Sequence, residues 1–508
     1  MYDIYKPFRN RLRQVSLLES LWSVYHFMQH LDFDVPLPPS LKPPMALSDR
    51  SKMRLGLVQW EFEILARELI LNADKFASKR LTTWHDIARE INSIKDLENR
   101  TWGIHSKRGE DVLYELVRIA HQQFPWQRGI SQPHFLRYSR LFELCGLGRL
   151  IHEEYGMSPQ EMLQLALGIA GHFLSNFSLR IPIRNELNSA SAEACERFLA
   201  RFSQTLDEAR EAYRKVQSYD INWAYTFDPL RSRPILKVNS TTAICLIPSF
   251  LIRRATNEVY FDLVGKEPHF SKAFGPAVQQ LVGEAAENAN RRGRLNILSE
   301  ASYGGAKTRK DTADWLIADE TATLLVECKS ARARLKGTTD LTDHAHIDKE
   351  FERIRAFAVQ IYKTLADALG GKYPQWKPDG RPVYPLLVTL EDWQTFGLHV
   401  DRLVVQPLRE ELRSLGIDPA LIENHPLSFC ALDTFEQAVI VFEQAGIDNV
   451  FRRKTQGEYP QWALETFLLD QFSEELAEGR SSLFSGQWAK LRPPSVPRAM
   501  PRGKQRIH

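Results

Sequence analysis

The sequence offers no cysteine framework: its five cysteines (Cys145, Cys195, Cys245, Cys328 and Cys430) stand far apart and form no C-x-x-C pair. A disulfide-stapled scaffold and a structural zinc site are excluded on that ground, and free thiols in a reducing compartment are expected. Long hydrophobic runs are also missing. The most apolar stretch, 243–252, is about half the ~20 residues that cross a bilayer and is broken by Pro248. Net charge is close to nil, since 66 basic residues against 63 acidic ones leave +3. Any nucleic-acid or membrane partner must therefore be met by a local patch. No segment repeats at a fixed period, which removes a solenoid, and neither a Walker-type phosphate loop nor a serine elbow is present. The first residues, MYDIYKPFRNRLRQ, lack a charged n-region followed by an apolar h-region. No secretory signal is expected, and the reading is a cytoplasmic protein without a membrane partner.

What is present is the composition of a globular chain: 508 residues, 43% apolar and 25% charged. At roughly 150 residues per domain, the length allows two to four domains. Residues 1–220 read as helical, with Leu17, Leu18, Leu21, Trp22 and Tyr25 at helical spacing and a breaker run, VPLPPSLKPP, at 35–44. Trp60, Phe62 and Leu65 read as packing residues rather than base-stacking platforms. After Asp220 the pattern turns to short β-branched runs at 241–247 and 257–264, a β-rich connector covering 221–264. A helix is predicted near 272–291, from the stripe Phe274, Val278, Leu281, Val282 and Ala285. Strands are predicted at 295–299, 313–318 and 322–328, with an antiparallel hairpin turning at Ala318-Asp319-Glu320-Thr321. Phe351, Ile354, Ala358, Ile361 and Leu365 mark another helix, and 383–390 and 403–406 look like buried strands. Helical pattern returns over 426–489, and 490–508 is a basic tail without a single acid, expected to be disordered.

The segment that carries chemistry is Thr312–Arg332, TADWLIADETATLLVECKSAR. Alternation along a strand puts Glu327 and Lys329 on one face about 6.6 Å apart, with Cys328 on the other, and a paired strand lets Asp314 join them. Two converging carboxylates repel unless they share a divalent cation. Magnesium takes such oxygen ligands and keeps waters that can serve as nucleophiles. Lys329 can orient water or neutralise a phosphoryl oxygen. With 22 lysines, roughly three acid-x-Lys triplets are expected by chance, and the sequence has one, placed at the end of an apolar strand. The competing reading is an exposed Glu–Lys pair worth little. Around this segment, 291–336 holds ten basic residues against six acids. Arg291, Arg292, Lys307, Arg309, Lys310, Arg332 and Arg334 are the candidate nucleic-acid contacts, with the Gly-rich loop at 303–307 among them. Asp343, His344, His346 and Asp348 could ligate a metal, but helix capping by Asp343 or Asp348 is the simpler reading.

Asp314, Glu327 and Lys329 resemble the PD-(D/E)XK nuclease motif, an aspartate on one strand and Glu-x-Lys on the next, with Ala313 where the family has proline. The resemblance covers about 265–410. It implies an α+β or α/β fold class: a helical N-terminal region, then a restriction-endonuclease-like αβββαβ domain (265–425) with a mixed central sheet, and a short helical C-terminal extension. It also implies an acid on the preceding helix. Phe274-Gly275-Pro276-Ala277-Val278-Gln279 matches that pattern except that the acid is glutamine, so Glu284 is the preferred substitute as a third metal ligand beside Asp314 and Glu327. A polar residue on the following helix is matched by Gln360, which could orient water or phosphate.

The expectation is a Mg2+-dependent endodeoxyribonuclease, with Mn2+ able to substitute, similar to bacterial antiviral-defence or restriction effectors. RNA, including tRNA, is the competing substrate, and a non-catalytic nucleic-acid or partner-binding protein is the alternative class. A homodimer and an additional protein subunit are the further partners considered, with the helical half as recognition or dimerisation scaffold.

Overall fold

The structure is a computed structural model that describes residues 1–491 apart from 48–50, 53–54, 106–110, 184–189, 333–344, 394–399 and 479–481. Arg334, Asp343, His344 and nearly all of the basic tail lie outside the described residues. The chain is mixed α and β, with helix predominating. Among the described residues, no helix is long and apolar enough to cross a membrane.

In a first core, helices Tyr2–Leu12, Leu17–Phe33, Gln59–Asn72 and Trp84–His105 pack with the later helix Leu206–Val216. Helix Gln59–Asn72 is buried nearly all round, acids included. Its Glu68 accepts from Tyr5 at 2.6 Å, Arg67 at 3.1 Å and Trp223 at 3.2 Å. Its Glu63 accepts from Arg231 at 2.8 Å and Trp126 at 3.2 Å. Phe62 and Leu65 are fully buried and Trp60 partly so, in keeping with packing residues.

A small sheet has strand order β1-β4-β3-β2, from β1 (Ser178–Arg180), β2 (Ser203–Thr205), β3 (Ile235–Lys237) and β4 (Thr242–Ile244). Two of its strands come from the stretch read as wholly helical. The later strands are β5 (Asn296–Ser299), β6 (Ser302–Tyr303), β7 (Lys310–Asp311), β8 (Trp315–Ala318), β9 (Thr323–Lys329), β10 (Val383–Thr389) and β11 (Ser428–Ala431). Five of them form the larger sheet, in order β11-β10-β9-β8-β5. β5, β8 and β9 are an antiparallel meander, and β10 and β11 add in parallel.

Helix His269–Ala289 lies with Leu432–Ala445 on one face of this sheet, and helix Ala345–Leu369 covers the other. The chain order is thus helix, three strands, helix, strand, with β11 and its helices following. Asp319 closes the β8–β9 turn by accepting from the amides of Thr321 and Ala322 at 2.7 and 2.9 Å.

Four further expectations need correction. Residues 257–264, read as a strand, form the short helix Val259–Leu263. The run 403–406 forms the end of a π-helical turn, Val400–Val405, and the start of helix Gln406–Ser414. Short apolar runs have no periodicity long enough to separate the two states. The boundary at 220 does not divide two cores. Helices within 135–202 share a single core with helix His269–Ala289, one face of the larger sheet and the C-terminal helices, whereas most of 206–250 folds back onto the first four helices and only Ile235, Ala243 and Cys245 of it turn to the shared core. Periodicity identifies an apolar face but not the element that covers it. Asp348 lies in the first turn of helix Ala345–Leu369 rather than before it.

One contact fixes the helix-to-sheet distance beside the motif strands. The Trp315 ring lies against Gly283, where an added Cβ would stand 2.1 Å from Trp315 Cζ2, and the indole N–H donates to the Gln279 carbonyl at 2.8 Å. Gly283→Ala is therefore expected to lower unfolding free energy by about 1–3 kcal/mol through overpacking, measured by urea denaturation.

Candidate active site

β9 explains where the chemistry emerges. It is the central strand of the sheet, and its residues through Glu327 are buried, while Cys328 and Lys329 are only partly covered. Register then decides what meets them. Trp315 pairs with Val326 on one side and Ser299 on the other. Continuing both ladders by one residue sets Glu300, Asp314 and Glu327 in a single row across three strands, and the Glu300 amide donates to the Asp314 carbonyl at 3.0 Å. A β-bulge follows. Ser302 pairs with Asp311, so two steps along one strand oppose three on the other, and the surplus falls at Thr312–Ala313. The Ala313 amide, drawn off the ladder, donates to the buried Tyr373 hydroxyl at 3.0 Å, which donates in turn to the Thr364 carbonyl at 3.2 Å. The bulge bends the chain just before Asp314 and is braced from the helix-345–369 side.

The row opens on a cleft of about 620 Å³. Asp314, Glu327, Lys329 and Gln360, all singled out from sequence, line it together. Glu327 is 3% exposed, and its Oε1 accepts from Lys329 Nζ at 2.8 Å and Gln360 Nε2 at 2.7 Å. Lys329 Nζ also stands 5.7 Å from the centre of the Phe357 ring, a cation–π distance. Asp314 Oδ2 accepts from the Cys328 amide at 2.6 Å. Burial first, and the charge of Glu327 second, push the Asp314 carboxyl up to about 7. Asp314 and Glu327 are therefore close enough to repel, and the Cys328 amide and Lys329 offset that repulsion only in part.

The remaining expected residues are distributed differently. Lys310 lines the cleft and donates to Asp367 at 2.7 Å. Lys307 and Arg309 are exposed between β6 and β7, where Arg309 donates to Ser302 at 2.8 Å. Gln279 lines the cleft, but its amide donates to Glu300 at 3.2 Å. Glu284 does not line it. That carboxylate holds Arg140 in a bidentate pair at 2.7 and 2.6 Å, facing helix Gln132–Leu141. Arg291 and Arg292 lie beyond the end of helix His269–Ala289, about 18 Å along its axis from Gln279 at 1.5 Å per residue, and the Arg292 amide donates to Glu443. Arg332 is 9% exposed, bonded to Glu391 and stacked 4.6 Å from the Phe261 ring centre. It cannot meet a nucleic-acid backbone from there.

Three residues that sequence reasoning missed belong to the cleft. Glu300 is the third acid of the row, legible from the hairpin register once 295–299 is paired with 313–318. Lys363 and Asp367 follow Gln360 at i+3 and i+7, the spacing of one helix face. Asp367 accepts from Lys310 and Tyr303 at 2.7 Å and from Lys372 at 2.5 Å, and although burial acts against it, these donors hold its carboxyl at about 2. Among the described residues, no three His, Cys, Asp or Glu side chains are grouped to cage a metal ion. The cleft offers instead a repelling pair of carboxylates, the donor set to which magnesium adds water and substrate oxygens. Comparison with family models, curated proteins and solved structures finds no match.

Because the folded carboxyl of Asp314 binds its proton more tightly than an unfolded one, its contribution to stability is present below pH ~4 and lost as pH rises through about 7. In metal-free buffer, Asp314→Asn is therefore expected to gain stability relative to the parent between pH 4 and pH 8. Thermal melts of both across that range would refute the coupling if the difference stayed flat.

Proposed function

We propose that this chain is a magnesium-dependent nuclease hydrolysing phosphodiester bonds of DNA at the cleft between helices His269–Ala289 and Ala345–Leu369. The observation that carries the reading is the row itself: two mutually repelling carboxylates, Asp314 and Glu327, beside an ammonium group on the same strand. The order helix, three strands, helix, strand around that row agrees with the restriction-endonuclease-like arrangement, which supports the same reading by analogy.

Asp314 and Glu327 would hold the magnesium ion, with Glu300 near enough in the row to bear on Asp314. Bound there, the ion supplies Lewis-acid stabilisation of charge developing on the scissile phosphate. The protein's own groups do the rest. Lys329, held by Glu327 and Phe357, is placed to orient the attacking water or take a phosphoryl oxygen. Gln360 fixes the Glu327 carboxylate from the opposite helix, a supporting bond of the kind that sets a ligand's orientation. Lys363 and, once released from Asp367, Lys310 are the exposed cations at the cleft that flanking phosphates would meet. The role of a bacterial defence or restriction effector, localisation in the cytoplasm, a homodimer and an added subunit remain parts of the proposal that rest on analogy.

A non-catalytic nucleic-acid-binding protein is the second reading, favoured by Gln279 standing where the resembling family has an acid. RNA competes with DNA as substrate because none of the motif residues Asp314, Glu327 and Lys329 addresses the sugar.

Incubation with plasmid and Mg2+ is expected to cut the DNA, and EDTA to abolish cutting. Glu327→Ala and Lys329→Ala are each expected to reduce the rate by about 100-fold or more while keeping the parent's circular dichroism. Parent-level cleavage by both folded variants would remove the assignment. Calorimetric Mn2+ binding that vanishes in Asp314→Ala, without cleavage of DNA or RNA, would favour the second reading.

A further inference from the structure

Asp314 stands one residue before the first paired position of β8, Trp315, and directly after the bulge. The ladder sets the face it takes, but at this end of the strand the charges of Glu327 and Glu300 both push against its carboxylate. Its backbone must be held from elsewhere. Two buried hydroxyl groups do so, those of Thr312 and Tyr373, 4% and 0% exposed.

The Thr312 hydroxyl is fully used. It accepts from the Ala301 amide at 2.9 Å and from the Gln375 side-chain amide at 3.3 Å, and it donates to the Ala313 carbonyl at 3.1 Å. Ala301 follows Glu300 and Ala313 precedes Asp314, so one side chain ties the backbone of both acids. Tyr373 holds the other side of the bulge. Its hydroxyl takes the Ala313 amide and passes the bond on to the Thr364 carbonyl. Thr364 belongs to helix Ala345–Leu369, whose Gln360 holds Glu327. The two carboxylates are thereby referred to the same helix.

The brace is itself anchored. Tyr373 and Trp376 are buried in the core beside that helix, Lys372 is bonded to Asp367 at 2.5 Å, and the Gln375 amide also reaches the Ser299 carbonyl at 3.3 Å. Phenylalanine at 373 and valine at 312 would fill the same apolar surroundings, so packing does not account for the hydroxyl groups. What they add is a fixed direction for the peptide that carries Asp314, which is how a bulge re-aims a side chain.

We propose that Thr312 and Tyr373 are positioning residues that set the spacing of Asp314 from Glu327 and Glu300 and so decide which divalent cation the cleft prefers. The inference rests on the nuclease reading, which makes Asp314 and Glu327 metal ligands, and adds ion selectivity to it. Mg2+ demands near-ideal octahedral geometry with bonds of about 2.0–2.1 Å, whereas Ca2+ accepts longer bonds and irregular surroundings. A loosened Asp314 therefore penalises Mg2+ more than Ca2+.

The test is calorimetric titration of the full chain with Mg2+ and with Ca2+, on the parent, Tyr373→Phe and Thr312→Val, beside hydrogen exchange of the Ala313 amide in metal-free buffer. Tyr373→Phe is expected to speed exchange at Ala313 by about tenfold. It is also expected to weaken Mg2+ by about tenfold or more, the usual effect of losing a ligand's support, and Ca2+ by less. Thr312→Val is expected to shift the ratio of the two affinities in the same direction, and it keeps the test open if Tyr373→Phe fails to fold. Parent-level ratios in the folded variants, including an equal loss of both ions, would overturn the positioning role and leave the nuclease reading standing. Parent-rate exchange at Ala313 in Tyr373→Phe would do the same. A parent that binds neither ion would remove the nuclease reading and this inference with it.

Discussion

The hairpin register between β8 and β9 is the constraint on which the cleft depends. Asp319 caps the turn with two amide bonds, and from that point each step back along β8 is matched by one step along β9 until Asp314 stands opposite Glu327. A slip of one residue would send the whole set to the opposite face. The buried runs Leu316–Ala318 and Thr323–Val326 resist such a slip because each face of both strands is covered by a helix layer. Apolar burial on the order of 25 cal/mol per Å² thus holds two carboxyl groups together that would separate if left to electrostatics. The surroundings limit the penalty in stages, through the Cys328 amide on Asp314 and through Lys329 and Gln360 on Glu327.

Much of this was legible in the sequence. The stripe of Phe274, Val278 and Leu281, the two alternating runs and the Asp319 turn all follow local rules, and their elements form within three residues of where those rules put them. Convergence of Asp314, Glu327 and Lys329 follows from strand alternation and hairpin pairing, whereas Gln360 enters only through the resemblance to the nuclease motif. What could not be read was whatever depended on a partner distant in the chain. Glu284 borders the apolar stripe, as a cleft ligand would, yet helix Gln132–Leu141 packs beside it and supplies Arg140. Arg332 belongs to a basic cluster in sequence, but three residues past β9 the chain has turned into the interior, where Glu391 and the Phe261 ring receive it. The sequence counts charges without saying which are already spent.

The same limitation explains the domain boundary. Composition shifts after Asp220, and a shift in composition is a natural place to divide a chain. Cores, however, are made of faces. The helices of 135–202 present theirs to helix His269–Ala289, and the pair Arg137–Glu436 joins the helical half to the C-terminal helix Leu432–Ala445 at almost complete burial. Removing one partner of such a pair leaves an uncompensated buried charge, at a typical cost of about 3–5 kcal/mol. The larger sheet is therefore not an independent body with a helical appendage, since its outer helix layer is drawn from both ends of the chain.

The charge of the cleft bears on how the proposed reaction would have to work. Five carboxyl groups line it, from Glu300, Asp311, Asp314, Glu327 and Asp367, against the ammonium groups of Lys310, Lys329 and Lys363. Lys310 and Lys329 are each already bonded to one of those acids. A phosphodiester brought to such a surface meets net repulsion, since every close contact with a carboxylate costs what a contact with lysine returns. A nuclease reading is tenable only if positive charge arrives from elsewhere, and a divalent cation on Asp314 and Glu327 reverses the local sign at the point where the phosphorus would lie. On the nuclease reading, the need for a metal follows from the balance of side chains in the cleft, independently of any resemblance. The same balance predicts that the free protein binds DNA poorly in its absence.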